Sequence, residues 1–293
     1  MLNRILRRTS SYMNDQPVWA WALIVPVILF SWIKFPARSA RDAKLLSSSR
    51  CVPVTDQVIR IGSYNIHRAK GIDGIRDLNR VAENLSGLDL VAMQEVAGPL
   101  VWAGKNQACR LASHLDCGWV FAPTRYRAFK PDVGNALLSK LSVADWCYQS
   151  LPSTNSMRNL LTGTITFGTT EVTVLATHID RGRDRCQQLS FVLDKFTESR
   201  HAILFGDLNT TRRQTPLQEF LNTHPECDAI KKAGGLNPDD RIDWILTRGI
   251  EIGRGGNDAI GASDHPLYWL EIKGLKGDVA YTCENFNHKL PVI

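Results

Sequence analysis

Ala202-Ile203-Leu204-Phe205-Gly206-Asp207-Leu208-Asn209 is a run of four apolar residues that leads directly into a glycine, a carboxylate and an amide. A short continuous apolar run followed by a turn signal reads as a buried strand ending in a loop. A carboxylate delivered there stands at the rim of a sheet, where loops gather around a site. The pattern repeats outward from this stretch. Val172–Thr177 reads as a strand delivering His178, Leu88–Gln94 as one leading into Glu95, and Val58–Tyr64 as one ahead of Asn65. Asn135–Ser139, Leu160–Phe167, Ile242–Leu246 and Leu267–Ile272 are further strand-like runs. Helical spacing links Ile75, Leu78, Val81, Ala82 and Leu85, with Gly87 as the stop. It also links Ala108 to Leu115 and Leu189 to Phe196. Strands separated now by helices and now by short loops predict an α/β domain with mixed sheets.

The chain is 293 residues long and 44% hydrophobic, enough for one large domain with a full core. Its formal charge of +6 suggests nucleic acid until its location is read. Residues 1–50 hold 8 Lys/Arg against 2 Asp/Glu, whereas residues 51–293 hold 27 of each sign. The basic balance therefore belongs to the N-terminal segment and argues little for a nucleic-acid-binding domain. Seven cysteines occur without a CxxC pair, so they read as isolated thiols; an oxidising compartment would leave one over.

Val18–Ile33 (VWAWALIVPVILFSWI) carries no charge and has basic residues on both sides. At 1.5 Å per residue it spans about 24 Å, a little short of the ~30 Å hydrocarbon core. Trp19, Trp21 and Trp32 suit the two interfaces. The reading is a single-pass membrane anchor whose side of the membrane is open. The alternative is a cleaved signal peptide, cut before Ala40, giving a secreted or periplasmic protein. The organisation that follows is a basic segment 1–17, a membrane helix 18–33, a linker 34–57, a catalytic domain 58–274 and a tail 275–293.

The candidate chemistry lies in the polar residues at strand ends. Glu95 among apolar neighbours needs a partner or a cation, and a hard oxygen ligand suits Mg²⁺ or Mn²⁺. Asp207 and Asn209, two apart in extended backbone, face one side and can hold a water between them. Asp264 and His265 are adjacent, so their side chains diverge. Asp243, at the edge of an apolar run, is the candidate to orient His265 and favour its protonated form. His178 can donate to a phosphate oxygen.

Tyr64-Asn65-Ile66-His67, Gln94-Glu95-Val96, Thr177-His178, Gly206-Asp207-Leu208-Asn209, Arg241-Ile242-Asp243 and Ser263-Asp264-His265 occur in one order. They resemble the ordered motifs of the endonuclease/exonuclease/phosphatase superfamily, and Gly134–Ser139 resembles its central strand. The run YNIHRAKGIDG is similar to a bacterial branch of metal-dependent hydrolases. The resemblance implies a four-layered α/β sandwich, two packed mixed sheets flanked by helices. It implies Glu95 as chief ligand of Mg²⁺ or Mn²⁺, helped by Asn65 and Asp264. Asp207 and Asn209 would activate the water, and His265, oriented by Asp243, would neutralise the phosphoryl group. His178, Arg158 and Asn135 would contact the phosphate. Whether Asp207 or His265 is the base stays open, as does the substrate: nucleic acid, phospholipid or another small phosphoester. No obligate protein partner is evident. The alternative is a catalytically silent, membrane-anchored binding module with the same fold.

Overall fold

The computed structural model describes residues 24–29, 34–36, 43–44, 58–99, 104–127, 130–154, 157–234, 240–258 and 260–276. Most of the expected membrane segment 18–33 lies outside these residues, as do 1–17, most of the linker and the tail beyond Lys276. Residues 24–29 are helical. No helix among the described residues is long and apolar enough to cross a membrane.

Two sheets make the body of the domain. The strands are β1 (Lys34–Pro36), β2 (Ala43–Lys44), β3 (Ile59–Asn65), β4 (Leu90–Ala97), β5 (Gly118–Arg127), β6 (Lys130–Ser139) and β7 (Val143–Ser150). They continue with β8 (Asn159–Phe167), β9 (Thr170–His178), β10 (Ala202–Asp207), β11 (Asp243–Arg248), β12 (Ile250–Asn257) and β13 (Tyr268–Leu275). The first sheet runs β1-β5-β6-β4-β3-β13-β12, with β2 also on β5; the second runs β11-β10-β9-β8-β7. Both are mixed, since β3 pairs parallel with β4 and β9 parallel with β10 while the other ladders are antiparallel. Two pieces of the expected linker thus join the first sheet, against β5.

The apolar clusters show four layers. Ile61, Leu90, Leu137, Val174, Ile203, Phe205 and Ile245 fill the space between the sheets. Val81, Leu85 and Leu111 pack the helices α1 (Leu78–Leu85) and α2 (Gln107–Leu115) on the outer face of the first sheet. Leu189, Val192 and Phe196 do the same for α3 (Arg185–Thr197) on the second, together with Leu217 of α4 (Leu217–Thr223). Each fully buried side chain of this size stabilises the fold by about 1.5–3 kcal/mol. The strands buried on both faces are the ones read from continuous apolar runs.

Two boundaries differ from the sequence reading. The first helix begins at Leu78 rather than Ile75, because the Asp77 side chain accepts from the Asn79 amide and caps it there. Ile75 stays 61% exposed in the preceding loop. Glu95 does not end its strand: β4 continues to Ala97, with an irregularity against β6 between Met93 and Val96. Strands β5, β7 and β12 have no counterpart in the sequence reading.

Candidate active site

The register of the second sheet sets out the site. Asp207, the last residue of β10, lies opposite His178 at the end of β9 and opposite Asp243 at the start of β11. Residues in register on neighbouring strands point to the same face. Here that face is the inner one, because Ile203 and Phe205 at the same parity of β10 pack between the sheets. Three polar side chains therefore form a row at one end of an otherwise apolar interior. Gly206 lets this happen: a Cβ there would lie 2.6 Å from the Thr177 carbonyl oxygen, so a larger residue would push β10 off β9.

The first sheet meets the row through Asn65, the last residue of β3. Its Nδ2 donates to Asp207 Oδ2 at 3.0 Å, and its Oδ1 accepts from the His67 amide at 3.1 Å. Ser263 Oγ donates to the Asn65 carbonyl at 2.6 Å and ties down the loop that carries Asp264 and His265. His265 enters from above the row. Its Nδ1 is 2.8 Å from Asp243 Oδ2, and its Nε2 is 3.9 Å from Asp207 Oδ2. His178 Nε2 approaches the same Asp207 oxygen at 3.3 Å without a hydrogen-bond partner.

Burial and charge divide the protonation states. Burial alone would lower the His265 pKa, but the hydrogen bond and charge of Asp243, then Asp207 and Asp264, lift it to about 9. Burial, followed by the neighbouring charge of Asp243, raises Asp207 to about 6; His265 and the Asn209 and Asn65 donors oppose this. Burial raises Asp243 as well, against the hydrogen bond from His265. His178 is pushed well below the ordinary histidine range, by burial first and then by the charges of Arg158, His265 and Arg181. At neutral pH the site therefore holds an imidazolium, a carboxylate of raised basicity and a neutral imidazole side by side.

The remaining predicted residues fall into different places. Asn209 holds Asp207 through its backbone, its amide N–H donating to Asp207 Oδ1 at 3.0 Å. The Asn209 side chain turns away, donating to the Ile179 carbonyl at 2.9 Å and accepting from Arg181 Nε at 3.0 Å. The backbone is left-handed at Asn209 (φ 45°), so the extended geometry that would have aligned the two side chains is absent. Asn135 is buried between the sheets, where its Nδ2 donates to Asn159 Oδ1 at 2.8 Å. Asn159 in turn donates to the carbonyls of Ala122 and Pro123, so the pair acts as a polar tie between sheets. Arg158 is half-buried; burial lowers its pKa, and Asp180, Asp207 and Glu95 act against that.

Glu95 and Asp264 sit at the open side. Glu95 has a left-handed backbone (φ 54°), with Arg68 Nε 4.0 Å from its carboxylate. Asp264 Oδ1 lies 3.1 Å from His67 Nδ1. His67, Arg68 and Ala69 are also left-handed, at 45°, 57° and 59°. Such a conformation costs a non-glycine residue roughly 1–2 kcal/mol, and strain of this kind clusters at functional sites. His67 and Arg68 are the neighbours of the site to which sequence reasoning gave no role. Only the two-residue spacing of His67 from Asn65 could have signalled one of them.

Two donor sets could be asked to hold a metal ion. Asp207, Asp243 and His265 offer ligand atoms within 4.8 Å of one another. In that trio His265 Nδ1 is bonded to Asp243, and its neighbours hold the imidazole in its protonated form. A protonated imidazole cannot ligate. The carboxylates of Glu95 and Asp264, 27% and 53% exposed, retain free oxygen capacity and fit a hard divalent cation.

The model of the endonuclease/exonuclease/phosphatase family matches residues 62–265, which carry every motif above. No curated protein matches the chain. Among solved structures, an endonuclease/exonuclease/phosphatase from Beutenbergia cavernae DSM 12333 is similar at 22% identity and a TM-score of 0.61, over 75% of this chain and 72% of that one. A mannosyl-6-phosphatase from Bacteroides thetaiotaomicron VPI-5482 is similar at 17% identity and a TM-score of 0.58, over 73% and 99%. A truncated Caenorhabditis elegans TDP2 is similar at 17% identity and a TM-score of 0.55, over 74% and 98%. Likeness at these identities concerns the fold.

Proposed function

This chain belongs to the endonuclease/exonuclease/phosphatase family, and on that premise we propose that it is a Mg²⁺- or Mn²⁺-dependent phosphodiesterase that hydrolyses its substrate by attack of water on phosphorus. The observation that carries the reading is Asp207 placed between neutral His178 and the Asp243-bonded His265. Members of the family are phosphoester hydrolases, and this arrangement supplies what the reaction needs.

Asp207, ionised above about pH 6, takes the proton of the attacking water. The new P–O bond forms as the ester P–O bond breaks on the opposite side. The His265 imidazolium faces the charge that gathers on the phosphoryl oxygens, and His178 and Arg158 are the further donors. Asn65 fixes the Asp207 oxygen that receives the proton. The leaving oxygen is protonated by His265 or by water. A bound Mg²⁺ or Mn²⁺, held by Glu95 with Asn65 and Asp264, would supply Lewis-acid polarisation of the phosphoryl group.

The substrate class within this reading is a nucleic acid, a phospholipid or a small phosphoester, and residues 18–33 serve as a membrane anchor. Mg²⁺-dependent turnover of bis-p-nitrophenyl phosphate by the full chain tests the reaction. A panel of DNA, RNA, phospholipids and inositol phosphates sorts the substrates. No turnover on any of them would leave the silent binding module as the reading.

A further inference from the structure

The loop between β3 and α1 presents an apolar surface that the hydrolytic site does not use. Ile72 and Ile75 are 68% and 61% exposed, and Ile260, in the loop that leads to Ser263, is 51% exposed. One exposed isoleucine needs no explanation, but three on two loops bonded to each other do. The Ile72 amide donates to the Gly261 carbonyl at 3.2 Å, the Gly71 amide to the Ile75 carbonyl at 2.9 Å and the Gly74 amide to the Gly71 carbonyl at 2.9 Å. Asp73 Oδ1 accepts from the Ile75 amide at 2.9 Å, and Arg80 holds the same carboxylate at 2.9 Å. At Gly71 a Cβ would lie 2.6 Å from the Gly261 carbonyl oxygen, so the loops touch backbone to backbone. The isoleucines are therefore held outward by a tight frame.

Both loops end at the site. One begins at His67, two residues after Asn65, and the other leads into Asp264 and His265. At the base of the first, Lys70 and Arg76 pair across a backbone β-bridge; Arg76 Nη1 donates to the Arg68 carbonyl at 2.8 Å, and no carboxylate among the described residues forms an ion pair with either side chain. Apolar tips over paired cations complement an anionic bilayer, whose phosphates meet the cations while the acyl region receives the isoleucines. A second feature points to lipid rather than to another protein. Residues 24–29 form a helix whose apolar side chains, from Val25 at 45% to Leu29 at 62% exposed, have the same uncovered character.

We propose that the Ile72/Ile75/Ile260 surface docks the mouth of the site onto an anionic phospholipid bilayer, so that the phosphoester of a lipid headgroup is the substrate class. The substrate part rests on the proposed hydrolase function; the docking part does not. The test is amide hydrogen exchange on the full chain in phosphatidylglycerol nanodiscs, phosphatidylcholine nanodiscs and detergent. Peptides covering 70–76 and 258–263 are expected to exchange several-fold more slowly in phosphatidylglycerol than in the other two. The Ile72→Asn/Ile260→Asn variant is expected to lose that protection while hydrolysing soluble bis-p-nitrophenyl phosphate at the parent rate. Equal exchange in all three media overturns the proposal. So does protection that rises with protein concentration in detergent, the sign of a second copy, and so does a variant that slows on the soluble ester. Exchange reports docking whether or not any ester is hydrolysed, so an inactive protein would sink the hydrolase reading and the lipid substrate with it, and leave the docking standing.

Discussion

Replacing Asp243 with asparagine removes one charge and should move both limbs of the pH–rate profile. The distance between an ordinary imidazole near 6.5 and His265 at about 9 corresponds to roughly 3.4 kcal/mol in favour of the imidazolium, with Asp243 its main source against the opposing effect of burial. In Asp243→Asn the burial remains and that source is gone, so His265 falls toward the ordinary value. At pH 8 the protonated fraction then drops from about nine-tenths to about one-thirtieth, a loss of about thirtyfold in activity from ionisation alone. The acid limb follows the same sign. Activity rises as pH climbs through the pKa of Asp207, which burial and then Asp243 hold up at about 6, so loss of Asp243 lowers that limb too. The whole bell should shift to lower pH and narrow, instead of merely shrinking. The assay is kcat/KM for bis-p-nitrophenyl phosphate across pH, with the His265 imidazole titrated by NMR in parent and variant. An alkaline limb that stays in place in the variant, or a parent His265 titrating near 6.5, would refute the electrostatic argument.

Asp207→Asn is expected to lower kcat by about 10²–10⁴-fold with an unchanged circular dichroism spectrum, since it removes the proton acceptor and leaves the sheet; near-parent rates would assign the base elsewhere. Glu95→Gly should raise the Mg²⁺ concentration needed for half-maximal turnover while stability in urea holds or rises by about 1 kcal/mol, because Glu95 sits at φ 54° where glycine is unstrained. Arg241→Ala should cost about 1.5–3 kcal/mol by urea denaturation, as it removes one of the two arginines on buried Asp228, at 3.0 Å, leaving Arg212 at 2.7 Å, and takes away a guanidinium 3.8 Å from the Trp244 ring centre. Gly206→Ala should cut activity more than stability, since its Cβ would press on the Thr177 carbonyl at 2.6 Å and shift the strand that ends in Asp207; a fully active variant would show that the row tolerates displacement.

What the sequence disclosed follows the physics of burial. Ala202–Phe205 and Leu90–Met93 are apolar on both faces because a sheet or helix layer covers each side, so they stand out without an alignment. The strands that escaped notice lack that signature. β7 and β12 are sheet edges: β7 (VADWCYQS) is largely exposed, and β12 (IEIGRGGN) is rich in glycine and only partly covered. β5 is central, but Pro123, two arginines and its register shifts against β6 mask its apolar alternation. Asp77 stopped the first helix short of Ile75, and the helical spacing of that isoleucine hid its exposure.

The site was legible as a set of residues and illegible as an arrangement. The motif order names Asp207, Asp243 and His265, but only the ladder register shows that the two carboxylates lie directly across from each other in a buried row. That placement carries its own consequence. Two buried carboxylates side by side raise each other's affinity for protons, and burial adds to the effect, so the row can hold its charge at neutral pH only with a cation over it. His265 is that cation, and Asp243 and Asp207 are in turn what keep it charged. The three groups are therefore one electrostatic unit. Removing His265 would drive Asp207 toward its neutral form and take away the proton acceptor along with the phosphoryl donor. His265→Ala and Asp207→Asn should thus each cost nearly as much activity as the double His265→Ala/Asp207→Asn, measured as kcat on the soluble ester. Losses that simply multiply in the double variant would mean that the groups act independently, against the coupling the register imposes.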